Sequence, residues 1–157
     1  MVQSSADPDL EPPPLRGIKV LEVALYAFVP AAGAVLADWG ADVVKVEHPE
    51  VGDPIRGLEA YGVPAGLGGV SYLLEVMNRG KRSVGIDIAH PSGHEVLMRL
   101  VDEADVFLTN FLAPARTRLR IEPEDILGRN PRIVYGRGTG QGTAGPDADK
   151  GGFDGVS

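Results

Sequence analysis

Six basic residues fall in two short runs, Arg79, Lys81 and Arg82 followed by Arg116, Arg118 and Arg120. Clustered cations of this kind recognise phosphate or carboxylate, arginine through a planar fork of donors and lysine as a point charge. They stand out because the chain is acidic, with a formal net charge of −7 over 157 residues. That balance argues against a general nucleic-acid binder, whose affinity comes from many cations displacing counterions. A small anionic ligand suits the pattern better, and a solvated charged surface is the plain alternative.

Other chemistry-bearing residues are less telling. Glu47 ends a predicted strand where a dinucleotide fold places its ribose-binding acid. The preceding strand-to-helix turn, however, reads Leu25-Tyr26-Ala27-Phe28-Val29-Pro30, without the glycines that let a backbone approach a pyrophosphate, so NAD and FAD are not expected. Gly138, Gly140 and Gly142 could cradle a phosphate, but no helix start follows them and a plain loop is the simpler reading. His90 and His94 have the spacing of two ligands on one helix face, yet a third is missing, so no metal is expected. His48 has no identifiable partner, and Ser71, Ser83 and Ser92 lie outside any nucleophile-elbow context.

These residues need a scaffold, and the apolar pattern supplies one. Ile18, Val20, Leu21 and Val23 read as a strand buried on both faces. Pro30 is expected to open a helix carrying Ala32, Val35, Leu36 and Trp39 on one face, with Gly40 as its stop. Val43, Val44 and Val46 give a second strand and complete a βαβ unit. A long excursion rich in glycine and proline then covers residues 49–82, with one compact apolar stretch from Tyr72 to Met77. Residues 83–88 return as a strand, and Ser92 with Glu95 predicts a capping box ahead of Val96, Leu97, Leu100, Val101 and Ala104 at helical spacing. Val106-Phe107-Leu108 is a further strand, Pro123 opens a short helix ending near Gly128, and Ile133-Val134-Tyr135 is a fifth strand. No regular element is predicted beyond Tyr135. Alternating strands and helices predict an α/β fold, an open doubly wound and mostly parallel Rossmann-like sheet without a dinucleotide fingerprint.

With 43% hydrophobic and 24% charged residues, the composition is that of one globular domain. Residues 1–14 are polar and proline-rich and read as a disordered leader to a domain over 15–157. Cysteine is absent, which excludes disulfides and thiolate metal sites. No signal peptide or apolar run of membrane-spanning length is evident, so a cytoplasmic protein with no membrane partner is expected.

Several segments, in order, resemble the class III CoA-transferase family, which includes formyl-CoA and carnitine CoA-transferases and the related α-methylacyl-CoA racemases. They are residues 15–21 (Leu-Arg-Gly-Ile-Lys-Val-Leu), 36–47 (Leu-Ala-Asp-Trp-Gly-Ala-Asp-Val-Val-Lys-Val-Glu) and Gly52-Asp53 with Arg56. Asn78-Arg79-Gly80-Lys81-Arg82-Ser83, Ala104-Asp105-Val106, Asn110-Phe111, Asn130-Pro131-Arg132-Ile133-Val134-Tyr135 and Gly140-Gln141-Gly142 with Gly145-Pro146 continue the series. None is specific alone; the ordered set is.

The resemblance implies an enzyme moving coenzyme A between carboxylic acids, with acyl-CoA and carboxylate substrates, built as an interlocked homodimer. It implies that Val76, Asn78, Arg79 and Lys81 lie near the adenosine end of coenzyme A. Asn110, Phe111, Arg118 and Leu119 would follow its path, and Tyr26 and Ala27 would sit near the thioester. His48 occupies a position from which some transferases reach coenzyme A with an arginine, and Ala27 replaces a glutamine of formyl-CoA transferase. Two further departures are Leu112-Ala113-Pro114, where the family usually has Arg-Pro-Gly, and Arg120 in place of a usual glycine.

In such transferases an aspartate attacks the acyl-CoA, giving a mixed anhydride and then an enzyme-bound thioester. The resemblance puts that residue beyond Ser157, leaving Asp154 as an auxiliary carboxylate and the chain as a fragment inactive alone. Racemases of the family carry Gly-His-Asp where this chain has Gly152-Phe153-Asp154. Phenylalanine cannot move a proton, which favours the transferase branch. A racemase or epimerase fragment and a non-catalytic protein that binds coenzyme A esters are the alternatives.

Overall fold

The computed structural model describes residues 11–61 and 70–152. Five parallel strands form one sheet in the order β3-β2-β1-β4-β5. They are β1 (Lys19–Val23), β2 (Asp42–Glu47), β3 (Arg82–Gly85), β4 (Val106–Thr109) and β5 (Val134–Arg137). Helices α1 (Phe28–Asp38) and α2 (Tyr72–Asn78) pack together on one side, whereas α3 (Pro91–Glu103) and α5 (Pro123–Arg129) pack together on the other. A seven-residue helix, α4 (Ala113–Leu119), follows β4, and a 3₁₀ segment covers Pro54–Tyr61. The α/β sheet expected from the alternation of patterns is therefore present.

Strand alternation sorts the core into two layers. Leu21, Val23, Val46 and Phe107 face α3 and α5, where Leu97, Val101, Ile121, Ile126 and Ile133 complete the larger cluster. Val20, Ala41 and Val43 form a smaller cluster with Leu15, Ile18, Leu36 and Ala37. Phe107 stacks on Tyr135 with ring centroids 5.4 Å apart. Burial pushes the Tyr135 hydroxyl up to about 12, and that hydroxyl donates to Ile121 O at 2.8 Å.

Local details depart from the sequence reading at α1, at the start of α3 and at the ends of β3 and β5. Helix α1 starts at Phe28 rather than Pro30, and its buried residues are Val29, Pro30, Gly33 and Ala34. The expected face is turned outward at Val35 (39% exposed) and Trp39 (53% exposed). Small residues face the sheet because a buried carboxylate lies beneath: a β-carbon on Gly33 would stand 2.0 Å from Glu22 Oε2. At α3 the cap is His90, whose side chain accepts from Ser92 N; Glu95 instead pairs with Arg99 on the helix surface. Strand β3 ends at Gly85 rather than at residue 88, and β5 runs to Arg137. Of the expected leader, residues 1–10 lie outside the described residues; Pro13 accepts from Arg16 N at 3.0 Å and packs against Gly40.

Candidate functional site

The strand order reverses direction between β1 and β4, one joined onward through α1 and the other reached from α3. In open parallel sheets such a switch point opens a crevice at the carboxyl ends of the strands, where ligands bind. The residues at this mouth are Ala24 to Ala27 after β1 and Asn110 to Leu112 after β4. No side chain caps the start of α1 and no acidic residue lies in its first turn, so the helix presents its positive end there.

The two lips of the crevice are bonded together. Asn110 Nδ2 donates to Leu25 O at 2.7 Å, and Asn110 Oδ1 accepts from Leu25 N at 3.0 Å. Tyr26 follows with φ +62°, a left-handed conformation unusual for a bulky residue, and its N–H donates to Asp53 Oδ1 at 3.0 Å. Phe111 O accepts from Arg116 Nη1 at 2.6 Å, and Arg116 Nε donates to Glu122 Oε2 at 2.8 Å. Burial works against the Glu122 carboxylate, but Arg116 and Thr117 hold it below the usual range.

A buried charge network underlies the turn. Lys45, 1% exposed, reaches Glu22 Oε1 at 3.1 Å, Ala24 O at 2.8 Å and Asp53 Oδ2 at 2.9 Å. The contact with Asp53 is an ion pair whose angles fall outside hydrogen-bond geometry. Lys81 reaches Glu22 Oε2 at 2.7 Å, Pro30 O at 2.7 Å and Asn78 Oδ1 at 3.2 Å. Desolvation lowers the Lys81 ammonium from its ordinary value against the opposing pull of Glu22. Glu22 and Lys45 are register partners on neighbouring strands, which places opposite charges side by side.

Glu47 is engaged differently from a ribose-binding acid. Its carboxylate accepts from Arg56 Nε and Nη2, both at 3.0 Å, from Asp53 N at 2.9 Å and from Ser83 Oγ at 3.1 Å. Burial alone would raise this carboxyl, but those donors and the Arg56 charge hold it below the ordinary range. Beside it a cavity of about 300 Å³ is lined by His48, Pro49, Gly52, Arg56 and Ser83 among others. His48 Nδ1 accepts from Glu50 N at 3.2 Å.

Of the predicted binding residues, Tyr26, Ala27, Asn110 and Phe111 meet at the crevice, with Arg118 on the helix that leaves it. Arg118 is exposed, and no hydrogen bond or ion pair with a described residue holds it. Leu119 is buried in the core. The first basic run does not converge there: Arg79 grips Asp38 at the far end of α1, Arg82 grips Asp42 at the start of β2, and the Lys81 side chain is buried against Glu22. Val76 is half exposed on α2, whose Asn78 donates to Leu74 O.

The glycine segment packs rather than cradles. A β-carbon at Gly138 would stand 2.4 Å from Val29 Cγ2, and one at Gly140 would stand 2.5 Å from Gly152 Cα. His94 Nε2 faces Arg120 O at 3.2 Å, and His90 caps α3. No group of three or more His, Cys, Asp or Glu among the described residues is arranged to hold a metal ion. No helix of the described residues is long and apolar enough to cross a membrane. Phe153, Asp154 and Ser157 lie outside the described residues.

Sequence reasoning missed the roles of Glu22, Lys45 and Asp53. Their signal was two opposite charges within strands otherwise buried on both faces, which become neighbours once β1 and β2 are aligned in parallel.

Comparison with known proteins agrees with this geometry. The chain is 41% identical over 149 residues to a succinate–glutarate CoA-transferase of Agrobacterium fabrum, covering 90% of this chain and 36% of that protein. It is 35% identical to the human succinyl-CoA:glutarate CoA-transferase, covering 92% of this chain and 32% of that one. A crystal structure of a CAIB/BAIF family protein from Brucella suis superposes with a TM-score of 0.81 at 37% identity, over 93% of this chain and 38% of the other. The chain thus spans about a third of the length of these relatives. A sequence profile of CoA-transferase family III matches residues 15–157, and the chain belongs to that family.

Proposed function

We propose that this chain supplies the coenzyme A-recognising α/β portion of an enzyme that moves coenzyme A between carboxylic acids. The observation that carries the reading is the clamped turn after β1, bonded through Leu25 to Asn110 at the switch-point crevice, in a chain of this family. The crevice offers chemistry such a ligand needs: the positive end of α1 and, on the helix that follows β4, the exposed guanidinium of Arg118, which has no partner among the described residues. Coenzyme A and its thioesters are substrates in this reading, and Arg118 meets a phosphate of the carrier. The names of the relatives, which include succinate and glutarate, support a carboxylic acid as acceptor.

The covalent steps belong to residues outside those described. An aspartate supplied by another segment would attack the thioester carbonyl, forming a mixed anhydride and releasing the coenzyme A thiolate. That thiolate would then attack the anhydride to give the enzyme-bound thioester and free the donor acid. The chain by itself therefore binds without turnover, and the interlocked homodimer and cytoplasmic setting belong to the longer enzyme. The racemase alternative is disfavoured because Phe153 offers no titratable group.

Isothermal titration of the purified chain with coenzyme A and acetyl-CoA, beside a transfer assay from succinyl-CoA to glutarate, tests the proposal. Saturable binding without transfer is the expected result. A folded chain that binds neither ligand, or one that turns over alone, would overturn it.

A further inference from the structure

Three consecutive residues of the turn after β1 are each held by a side chain from elsewhere in the fold. Lys45 on β2 donates to Ala24 O, Asn110 after β4 brackets Leu25, and Asp53 after β2 accepts from Tyr26 N. Asp53 is 0% exposed, and the same oxygen that accepts from Tyr26 also accepts from Ile55 N at 3.0 Å. Its second oxygen faces Lys45, itself fixed by Glu22. Desolvated charges are a poor way to gain stability, since apolar residues of similar volume do as well or better. What they supply is direction. Here Lys45 and Asp53 each bond one backbone group of the turn, Ala24 O and Tyr26 N, and the left-handed backbone of Tyr26 would not persist unaided.

We propose that Asp53 and Lys45 are positioning residues of the candidate coenzyme A site: they hold Tyr26 in its left-handed conformation and so fix the turn that faces the crevice. The other half of the network has a different task, because Lys81 carries Glu22 to Pro30 O and Asn78, tying α1 to the segment before β3. The ligand in this inference rests on the proposed function; the geometry does not.

The experiment uses the 15N-labelled chain and follows the Tyr26 amide, the backbone shifts of residues 24–27 and the affinity for coenzyme A. Asp53→Ala is expected to speed exchange of the Tyr26 amide by about ten-fold beyond any change at core amides, and to weaken coenzyme A binding about ten-fold. Asp53→Asn keeps an acceptor for Tyr26 N–H while losing the charge opposite Lys45, and serves if the alanine variant does not fold. Tyr26→Gly supplies the left-handed conformation without a tether. Placed in the Asp53→Ala or Asp53→Asn background, it should return the shifts at residues 24, 25 and 27 toward those of Tyr26→Gly alone, with affinity within about three-fold of that single variant. A merely structural Asp53 would change core exchange and the turn equally, and glycine at position 26 would rescue nothing; either result overturns the inference. If the unmodified chain binds no coenzyme A, the proposed function fails, and the exchange and shift measurements still decide the positioning role.

Discussion

The Asn110 side chain and the Leu25 peptide are joined in both directions, by a donated bond of 2.7 Å and an accepted one of 3.0 Å. A side-chain amide fills both roles through separate atoms, which an ionised carboxylate, an acceptor only, cannot do. Asn110→Asp keeps the acceptor for Leu25 N but sets a carboxylate against Leu25 O. The expected loss is about 1–3 kcal/mol, the scale of leaving a partly buried polar group without a partner. Urea unfolding at pH 7 measures it, and a loss within error of zero would mean that the two lips open independently.

A sign test is available at Gly33. Helix propensity alone predicts that Gly33→Ala in α1 stabilises the chain by about 1 kcal/mol. The new β-carbon would instead lie 2.0 Å from Glu22 Oε2, a carboxylate already fixed by Lys45 and Lys81. Overpacking against a fixed group should win, with a net loss of about 2 kcal/mol. Thermal unfolding distinguishes the two signs.

That glycine also shows how far the sequence could be read. Alternation of strands and helices gave the sheet and its two layers because buried parallel strands and amphipathic helices leave strong periodic traces. The orientation of α1 was not legible: Val35 and Trp39 are larger and more apolar than Gly33 and Ala34, yet the small residues face the sheet to admit a buried charge network. Helix α4 was missed because seven residues with Pro114, Arg116 and Arg118 carry no apolar period. In the site, the resemblance pointed to Tyr26 and Asn110 separately; that Asn110 bonds Leu25, the residue before Tyr26, appears only once β1 and β4 are neighbours. Charge clustering did not disclose that Arg79, Lys81, Arg82 and Arg116 each pair with an acidic residue distant in sequence or in an adjoining element. A run of cations says nothing of the carboxylates that the fold brings to it.

Arg120 closes α4 at φ +54°, a left-handed residue bearing a β-carbon. The conformation costs such a residue about 1–2 kcal/mol, and the extra freedom of glycine in the unfolded chain offsets part of any gain. Arg120→Gly should therefore stabilise by about 0.5–1 kcal/mol. Arg120→Val should do the reverse, since a β-branched side chain tolerates this region least. Denaturant midpoints for the pair check both directions.

The Glu47 carboxyl has a folded pKa below its ordinary value of 4.5, because Arg56, Ser83 and the Asp53 N–H outweigh the penalty of burial. A depressed carboxyl contributes stability that is present above its unfolded pKa and lost as pH falls through the folded one. The chain should accordingly lose stability as pH drops below about 4.5, and Glu47→Gln should be less stable at pH 7 yet show a shallower decline into acid. Urea midpoints between pH 7 and 3 for the two proteins measure the difference in slope; parallel curves would exclude Glu47 as a contributor.

The two basic runs should separate cleanly under mutation, because one is built into the fold and the other is not. The Lys81 side chain is 2% exposed and bonds Glu22, Pro30 O and Asn78. Removing it leaves Glu22 buried with only Lys45 opposite, so Lys81→Met is expected to cost roughly 3 kcal/mol, as breaking buried pairs does. Arg118 is exposed on α4 and free of described partners, so Arg118→Ala should leave the unfolding midpoint unchanged. Its effect should appear in titration instead, as coenzyme A affinity weakened about ten-fold and more strongly at low salt than at high salt. Were Lys81→Met to weaken binding while leaving stability intact, the ammonium would be reaching a ligand rather than Glu22, and the segment before β3 would have to rearrange when coenzyme A binds.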